Sequence, residues 1–353
     1  MKQILMTGFP GFLATRLLRS LINHYNGASF ILLVHPSQYE KAVERSKNLK
    51  NTEVKIGDIT EPSLGFSQKD LESLRKNLTH VFHLAAIYDL AVPEHIAEDV
   101  NVNGTKNIND FVESIANLER YVYFSTAYVS GLRTGVIKET ELEIGQTFKN
   151  HYEETKYKAE VLVKNLQDVP FTIIRPGITV GHSESGETDK FDGPYFIMRF
   201  LDKISHLPVP YIGKSEALFN VVPVDYIIQA TTFLSYSEKA KGKTFHLTDP
   251  RPYAARDLYR MICEELLGKR PIWTVPTKLV EFCLSFSAFR KFFGVEKEAI
   301  EYFRCTSEYD ASVAKEILEE GGVICPDFKE YVGKIVRYYK RNRDDEEKRI
   351  NVT

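Results

Sequence analysis

The chain has 353 residues, of which 43% are hydrophobic and 27% charged, enough for a sizeable core and too apolar for a disordered chain. Its 46 basic residues stand against 48 acidic ones, a formal charge of -2, which excludes a broadly basic nucleic-acid binder. Four widely spaced cysteines (Cys263, Cys283, Cys305 and Cys325) form no Cys-x-x-Cys pair, so reduced thiols are expected rather than a disulfide scaffold, and no metal site.

The apolar start Met1–Met6 ends at Thr7-Gly8, short of a signal peptide, and no stretch has the length of a transmembrane span. A cytoplasmic protein is the expectation. Ile4–Met6 reads as a strand, Phe12–Asn23 as a helix, and Phe30–Val34 as a second, buried strand. Thr52–Ile56 and His80–Leu84 follow as strands, then Asn103–Ala116 as a helix and Tyr121–Phe124 as a strand. Tyr152–Asn165 reads as a helix and Phe171–Ile174 as a strand. Continuous apolar strands alternating with helices predict an α/β fold, with a doubly wound parallel sheet covered on both faces.

After Gly181 the texture changes. HSESGETDKFDGPY is polar and Gly-rich, a loop; Phe219–Val224 looks like a return to the sheet, and Thr244–Leu247 like another strand. The expected division is a dinucleotide-binding domain over 1–180, rejoined by 217–250. A smaller, mostly helical substrate region spans 181–216 and 251–340, and a charged tail 341–353. Leu279, Phe282, Phe286, Phe289 and Phe293 recur at near-helical spacing beside Arg290 and Lys291. Such a stripe fits plain core, the lining of an acyl channel, or a membrane surface.

Two constellations carry chemistry. The first is Thr7-Gly8-Phe9-Pro10-Gly11-Phe12-Leu13-Ala14, directly after a strand and opening a helix. Glycines there permit a tight turn, and the helix N-terminus offers free N–H groups to a pyrophosphate. The second strand ends Leu33-Val34-His35-Pro36-Ser37, without the acidic residue that meets a ribose 2′-hydroxyl in NAD sites. His35 and Ser37, with Lys41 or Arg16, can meet a 2′-phosphate instead, which favours NADP over NAD. Asp58, in Gly57-Asp58-Ile59, can accept from an adenine amino group or cap its own turn. Ala85 and Ala86 leave room for a ribose or nicotinamide.

The second constellation is Tyr152-Glu153-Glu154-Thr155-Lys156. Residues four apart share a helix face, and an ammonium beside a phenol lowers the phenol pKa. Upstream, Phe124-Ser125-Thr126 ends a strand with hydroxyls, and Thr126 is the one assigned to a substrate oxygen. Asn101 either holds a water or a backbone kink near the lysine, or caps the following helix.

Taken in order, TGFPGFLA, GDIT, HLAA, NVNGT, FSTAY, YEETK, IIRPG and VPVDY resemble the extended short-chain dehydrogenase/reductase superfamily over residues 1–225. Further matches (RPGITVG at 175–181, DGPY at 192–195, NVVPVD at 220–225) resemble its fatty acyl/thioester reductase branch, with the male-sterility type of NAD-binding domain. The resemblance implies a Rossmann-type sheet and a triad of Thr126, Tyr152 and Lys156 supported by Asn101. It also implies that Tyr152 exchanges a proton with the substrate oxygen, that Lys156 binds the nicotinamide ribose, and that Pro176, Ile178 and Thr179 pass the carboxamide. The implied reaction is NAD(P)H-dependent hydride transfer to an acyl thioester or other carbonyl of a lipophilic small molecule, brought by coenzyme A or a carrier protein. Pairing of two copies through 103–116 and 152–165 is also implied. His35 stands where this branch usually has arginine. Nucleotide-sugar epimerases or dehydratases, sterol- or flavonoid-type dehydrogenases, and a non-catalytic dinucleotide sensor are the competing readings on the same scaffold.

Overall fold

Alternation within each strand decides the fold. Ile4, Met6, Phe30, Leu32, Val34, Phe82, Val122 and Phe124 enter one buried cluster. Their chain neighbours Leu5, Ile31, Leu33, Val81, Tyr121 and Tyr123 enter another. Successive side chains of a strand point to opposite faces, so a sheet apolar at both parities must be covered twice. The computed structural model describes residues 2–88, 92–213, 217–293 and 306–348. Cys305 and positions 349–353 of the expected tail lie outside the described residues.

Seven parallel strands form the sheet: β1 (Gln3–Thr7), β2 (Ser29–Val34), β3 (Thr52–Ile56), β4 (His80–His83), β5 (Arg120–Phe124), β6 (Phe171–Pro176) and β7 (Lys243–Leu247). Their order is β7-β6-β5-β4-β1-β2-β3. The order reverses between β1 and β4, and in such sheets the crevice beyond the strand ends at that reversal is where ligands sit. One face is covered by α1 (Phe12–His24), which buries Leu17, Leu18 and Leu21. The helix α2 (Tyr39–Ser46) lies at the edge of that same face, where its Ala42 joins the core of α1. The opposite face carries α3 (Gln68–Asn77), α4 (Gly104–Glu113) and α5 (His151–Lys164). These three close the second core.

A third core lies beyond the strand ends. It is built from α6 (Pro194–Lys203), α8 (Ala255–Leu267) and α12 (Phe328–Asn342), around Tyr195, Met198, Ile262, Phe328 and Tyr331. Two further helices, α7 (Val224–Tyr236) and α11 (Ser312–Glu320), pack with α1 on the first face through Ile227, Leu234, Ile317 and Leu318. The short helices α9 (Thr277–Leu284) and α10 (Ser287–Phe293) border the third core.

Thr244–Leu247 lies in β7, the seventh strand of the sheet. Phe219–Val224 does not return to it. Val221–Pro223 pairs with Ile178–Val180, and Leu218–Phe219 with Tyr253–Ala254, as separate two-stranded ribbons. The run is apolar because the third core needs it: Phe219 and Val221 are both buried there. An apolar run reports burial and does not say in which sheet.

Candidate active site

The turn after β1 is shaped by its glycines. Gly8 has φ +86°, and a Cβ there would lie 2.8 Å from the Leu84 carbonyl carbon. A Cβ on Gly11 would lie 2.7 Å from the Gly8 carbonyl oxygen, which already accepts the Gly11 N–H. Helix α1 starts at Gly11 with no side-chain cap. The first turn therefore presents main-chain N–H groups and the positive end of the helix dipole at a place where no side chain intrudes. This cradle fits the pyrophosphate of a dinucleotide. Ala14, 2% exposed, keeps the helix close to the sheet.

The turn opens into a cleft of about 620 Å³. Gly8, Gly11, Phe12 and Leu13 line one end, with Ala85 and Ala86 after β4. Thr126, Tyr152 and Lys156 line the floor, and Pro176, Ile178 and Thr179 the adjoining wall. The structure thus brings twelve of the candidate residues to one cavity. Its far end is apolar, with Phe196 and Phe200 of α6, Leu279 and Leu284 of α9, and Phe289 and Phe293 of α10.

Tyr152 is 8% exposed, and the Thr126 hydroxyl hydrogen-bonds to it. Burial first, and the Glu153 charge second, push its phenol above the usual range, against the Thr126 bond. The spacing argument predicts the reverse, a phenol lowered by Lys156. The reason for the difference is geometric. Lys156 Nζ donates to the Tyr123 hydroxyl at 2.8 Å and to the Phe124 carbonyl at 2.6 Å, so the ammonium is held against β5. Burial lowers Lys156 to about 7, with the Glu160 charge opposing.

Thr7, Pro10, His35, Ser37, Asp58, Ile59 and Asn101 are not among the residues lining the cleft. Thr7 is buried, and its Oγ1 accepts the N–H groups of Leu84 and Ala85, tying β1 to β4. It also meets His83 Nδ1 at 2.8 Å, while Nε2 meets Thr105 Oγ1 at 3.2 Å. The Thr105 hydroxyl is donated to the Asn101 carbonyl, so His83 Nε2 carries the proton and Nδ1 accepts from Thr7. A neutral ring agrees with a His83 pKa pushed down to about 3, by burial first and Lys156 second.

Ile59 belongs to the second core, and a Cβ on Gly104 would strike its Cδ1 at 2.7 Å. Asn101 sits inside a continuous helical stretch, in a wide π-type turn over Glu98–Asn103, and so caps nothing. Its Oδ1 accepts the Ile87 N–H at 2.9 Å, and its Nδ2 donates to Thr155 Oγ1 at 3.0 Å. It links the segment after β4 to the helix carrying Tyr152 and Lys156. The Asp58 carboxylate caps its turn through Thr60, and its other oxygen lies 3.4 Å from His35 Nε2. His35 Nδ1 contacts the Ser37 hydroxyl at 2.7 Å, so His35, Ser37 and Asp58 form one exposed cluster beyond β2 and β3.

Two groups were not singled out from the sequence for what they do here. Arg45 on α2 donates to the Pro10 carbonyl at 2.8 Å and to Asp189 at 3.3 Å, and Arg16 of α1 donates to Asp189 at 2.9 Å. The polar 182–192 loop is thereby strapped across the phosphate turn, and its Thr188, Lys190 and Asp192 line the cleft. Beneath Thr126, the Ser125 hydroxyl donates to Glu160, which is gripped by Arg175 at 2.6 Å. For the second group the sequence signal was Arg175 and Glu160, charged residues inside a strand and a helix, while Asp189 sits in a polar loop and gave none.

The profile of the male sterility proteins, an NAD-binding family, matches residues 6–231. The chain is 27% identical over 303 residues to the non-canonical nonribosomal peptide synthetase cpsA of Aspergillus campestris, covering 76% of this chain and 28% of that protein. It is 27% identical over 266 residues to the L-2-aminoadipate reductase large subunit of Eremothecium gossypii, covering 66% and 19%. The fatty acyl-CoA reductase wat of Drosophila melanogaster is 26% identical over 275 residues, covering 65% and 53%. Among solved structures, the terminal R domain from the myxalamid PKS-NRPS biosynthetic pathway superposes with a TM-score of 0.83 at 25% identity, covering 98% of this chain and 91% of that one. The chain thus spans less than a third of the first two of these relatives, and about half of the third.

Proposed function

The chain belongs to the male sterility protein family, the thioester-reductase-like branch of the extended short-chain dehydrogenase/reductases and so of NAD(P)-dependent oxidoreductases, and on that premise we propose that it reduces the thioester or other carbonyl of a lipophilic substrate. The observation that carries this reading is the cleft itself. One continuous cavity joins the uncapped start of α1, the Thr126–Tyr152 hydroxyl pair, and an apolar end lined by Phe196, Phe200 and Phe289. A nicotinamide dinucleotide seated on the turn supplies the hydride.

The chain's own groups do the rest. Gly8 and Gly11 admit the pyrophosphate, and Pro176, Ile178 and Thr179 border the nicotinamide end. Thr126 and Tyr152 donate to the substrate oxygen as charge develops on it, and Tyr152 delivers the proton. Lys156, on the floor of the cleft, supplies a positive charge there in its protonated form. Asn101 fixes the distance between α5 and the end of β4. With a thioester, the hemithioacetal formed expels its thiol and leaves an aldehyde; with an aldehyde or ketone, the product is an alcohol. The acyl group arrives on coenzyme A or a carrier protein. NADP(H) is preferred, since β2 itself runs into His35 and Ser37 rather than into an acidic residue, and the neighbouring Asp58 carboxylate is engaged by Thr60 and His35.

Oxidation of NADPH and NADH, each followed against a long-chain acyl-CoA and the matching aldehyde, tests this. Loss of NADPH with the acyl-CoA supports thioester reduction. Turnover with the aldehyde alone narrows the reading to a carbonyl reductase, and no turnover with either sinks it. Tyr152→Phe removes only the hydroxyl and is expected to cost about a thousandfold in kcat with unchanged cofactor binding. Unchanged kcat overturns the role of Tyr152.

A further inference from the structure

The helices α9 and α10 are apolar on both faces. Toward the cleft they present Leu279, Leu284, Phe289 and Phe293. Away from it stand Phe282, Phe286 and Phe292, which are 63%, 51% and 59% exposed and do not line the cavity. The segment leading into α9, with a short strand at Trp273–Val275, adds Ile272 at 74% and Trp273, the chain's single tryptophan, at 52%. Side chains this exposed stand proud of the surface. A soluble monomer rarely exposes so many large apolar groups together.

The charge along the segment that carries this patch is the opposite of the chain's. Residues 269–293 hold five basic side chains (Lys269, Arg270, Lys278, Arg290 and Lys291) and one acidic one, Glu281, in a protein of formal charge -2. Lys203 of α6 adds a further cation, 5.2 Å from the centre of the Phe292 ring. Arg270 is paired with Glu264, and Arg290 donates to the Leu284 and Ser285 carbonyls. Helices of eight and seven residues are too short to cross a bilayer, but lying flat they bury phenyl rings at the headgroup boundary. Tryptophan favours that same depth, and basic side chains beside it favour an anionic surface.

We propose that the outward face of α9 and α10, with Ile272 and Trp273, docks this protein on an anionic phospholipid surface. The exposed phenyl rings carry no hydrogen-bonding group and the Trp273 N–H is directed at the Pro208 carbonyl, so the face suits an acyl layer better than the polar face of an acidic carrier protein, which shares the charge preference. The proposal does not depend on the reductase reading, because binding is read without substrate.

Flotation with phosphatidylcholine vesicles, alone or with about one-third phosphatidylglycerol, tests it. The protein is expected to float with the anionic vesicles and to be released by about 0.5 M salt. The triple variant Phe282→Ser, Phe286→Ser, Phe292→Ser is expected to lose at least about tenfold in partitioning, with unchanged melting temperature. Arg290→Gln and Lys291→Gln are each expected to lose roughly fivefold. No flotation, or equal flotation of the triple variant, overturns the proposal. So does a dimer in light scattering that the triple variant abolishes, since a second copy would then cover the face. Saturable binding of an acidic carrier protein without vesicle binding overturns it as well.

Discussion

The floor and the strap of the cleft are each closed by arginine on carboxylate, but in opposite surroundings. In the floor, Arg175 and Glu160 are 1% and 0% exposed, and both sit among fixed partners. Glu160 also accepts from Ser125, and Arg175 reaches the Glu141 carbonyl at 2.9 Å and His246 at 3.2 Å. In the strap, Arg16, Arg45 and Asp189 are 16%, 36% and 25% exposed and join two helices to a loop. Water and salt reach the second cluster and not the first. The same chemistry thus makes a fixed frame beneath Thr126 and Lys156, and a releasable tie above the phosphate turn.

The strongest way to break that contrast is to remove one partner from the floor. Arg175→Met strands the Glu160 carboxylate where no water reaches it. The expected loss is about 3–5 kcal/mol of unfolding free energy by denaturant titration, insensitive to salt. Removing both charges, with Arg175→Met and Glu160→Leu, is expected to recover most of it, because the buried charge disappears with its partner. A single variant as stable as the parent would show that the floor is wet, and the contrast would fail.

A pH profile sharpens the comparison at smaller amplitude. Burial lowers Lys156 to about 7 while Tyr152 is held above its ordinary range, so of these two groups the lysine is the one that titrates near neutrality. Burial also raises the Asp192 carboxyl of the cleft to about 6, which sets the lower edge of the window. If the ammonium supports the reaction, kcat/KM for reduction falls as the pH rises through about 7, by tenfold per pH unit at the steepest. The same shift acts on stability with the other sign. Between about 7 and 10.5 the unfolded lysine binds a proton that the folded one does not, so this group makes the protein more stable as the pH rises across that window. Opposite slopes for activity and stability are the expected signature. A flat activity profile between pH 6 and 9 (roughly one limb on each side of neutrality) would remove Lys156 from the chemistry.

Legibility from the sequence followed the same divide between enforced and elective contacts. The strands of the sheet and the helices α1, α4 and α5 could be read because parity and period are imposed by burial on both faces, whereas α2, α3 and α7 were not read. Gly8, Gly11 and Ala14 were readable because steric limits leave no alternative at a tight turn. Tyr152, Lys156 and Thr126 were readable as neighbours because a helix face and a strand end fix their relation. What escaped was set by contacts between distant segments. Nothing local to Arg45 or Asp189 says that they meet, and nothing local to Lys156 says that β5 holds its ammonium. Asn101 could be read as a cap because a π-type turn has no sequence period of its own. The aromatic stripe of α9 and α10 shows the limit most clearly: the same spacing serves burial, a cleft wall and an exposed face, and here it serves the last two at once.

Asp189→Ala tests the elective side, and its effect is expected to be the smallest. Three partly exposed groups share the interaction, each reached by solvent, so the cost to global stability is at most about 1 kcal/mol. The loop does not lose its place altogether, because Thr188 is buried and the Phe191 N–H still donates to the Lys348 carbonyl at 2.9 Å. What changes is local. Arg16 keeps Glu187 at 3.1 Å and Arg45 keeps the Pro10 carbonyl, but the helices are no longer tied to the loop through a shared carboxylate. The KM for cofactor is expected to rise a few-fold with kcat unchanged, and moderate salt is expected to reproduce that rise in the parent and add little in the variant. A kcat that fell with KM would mean that the strap positions the reacting groups. A salt effect that persisted undiminished in the variant would place the releasable tie somewhere other than Asp189.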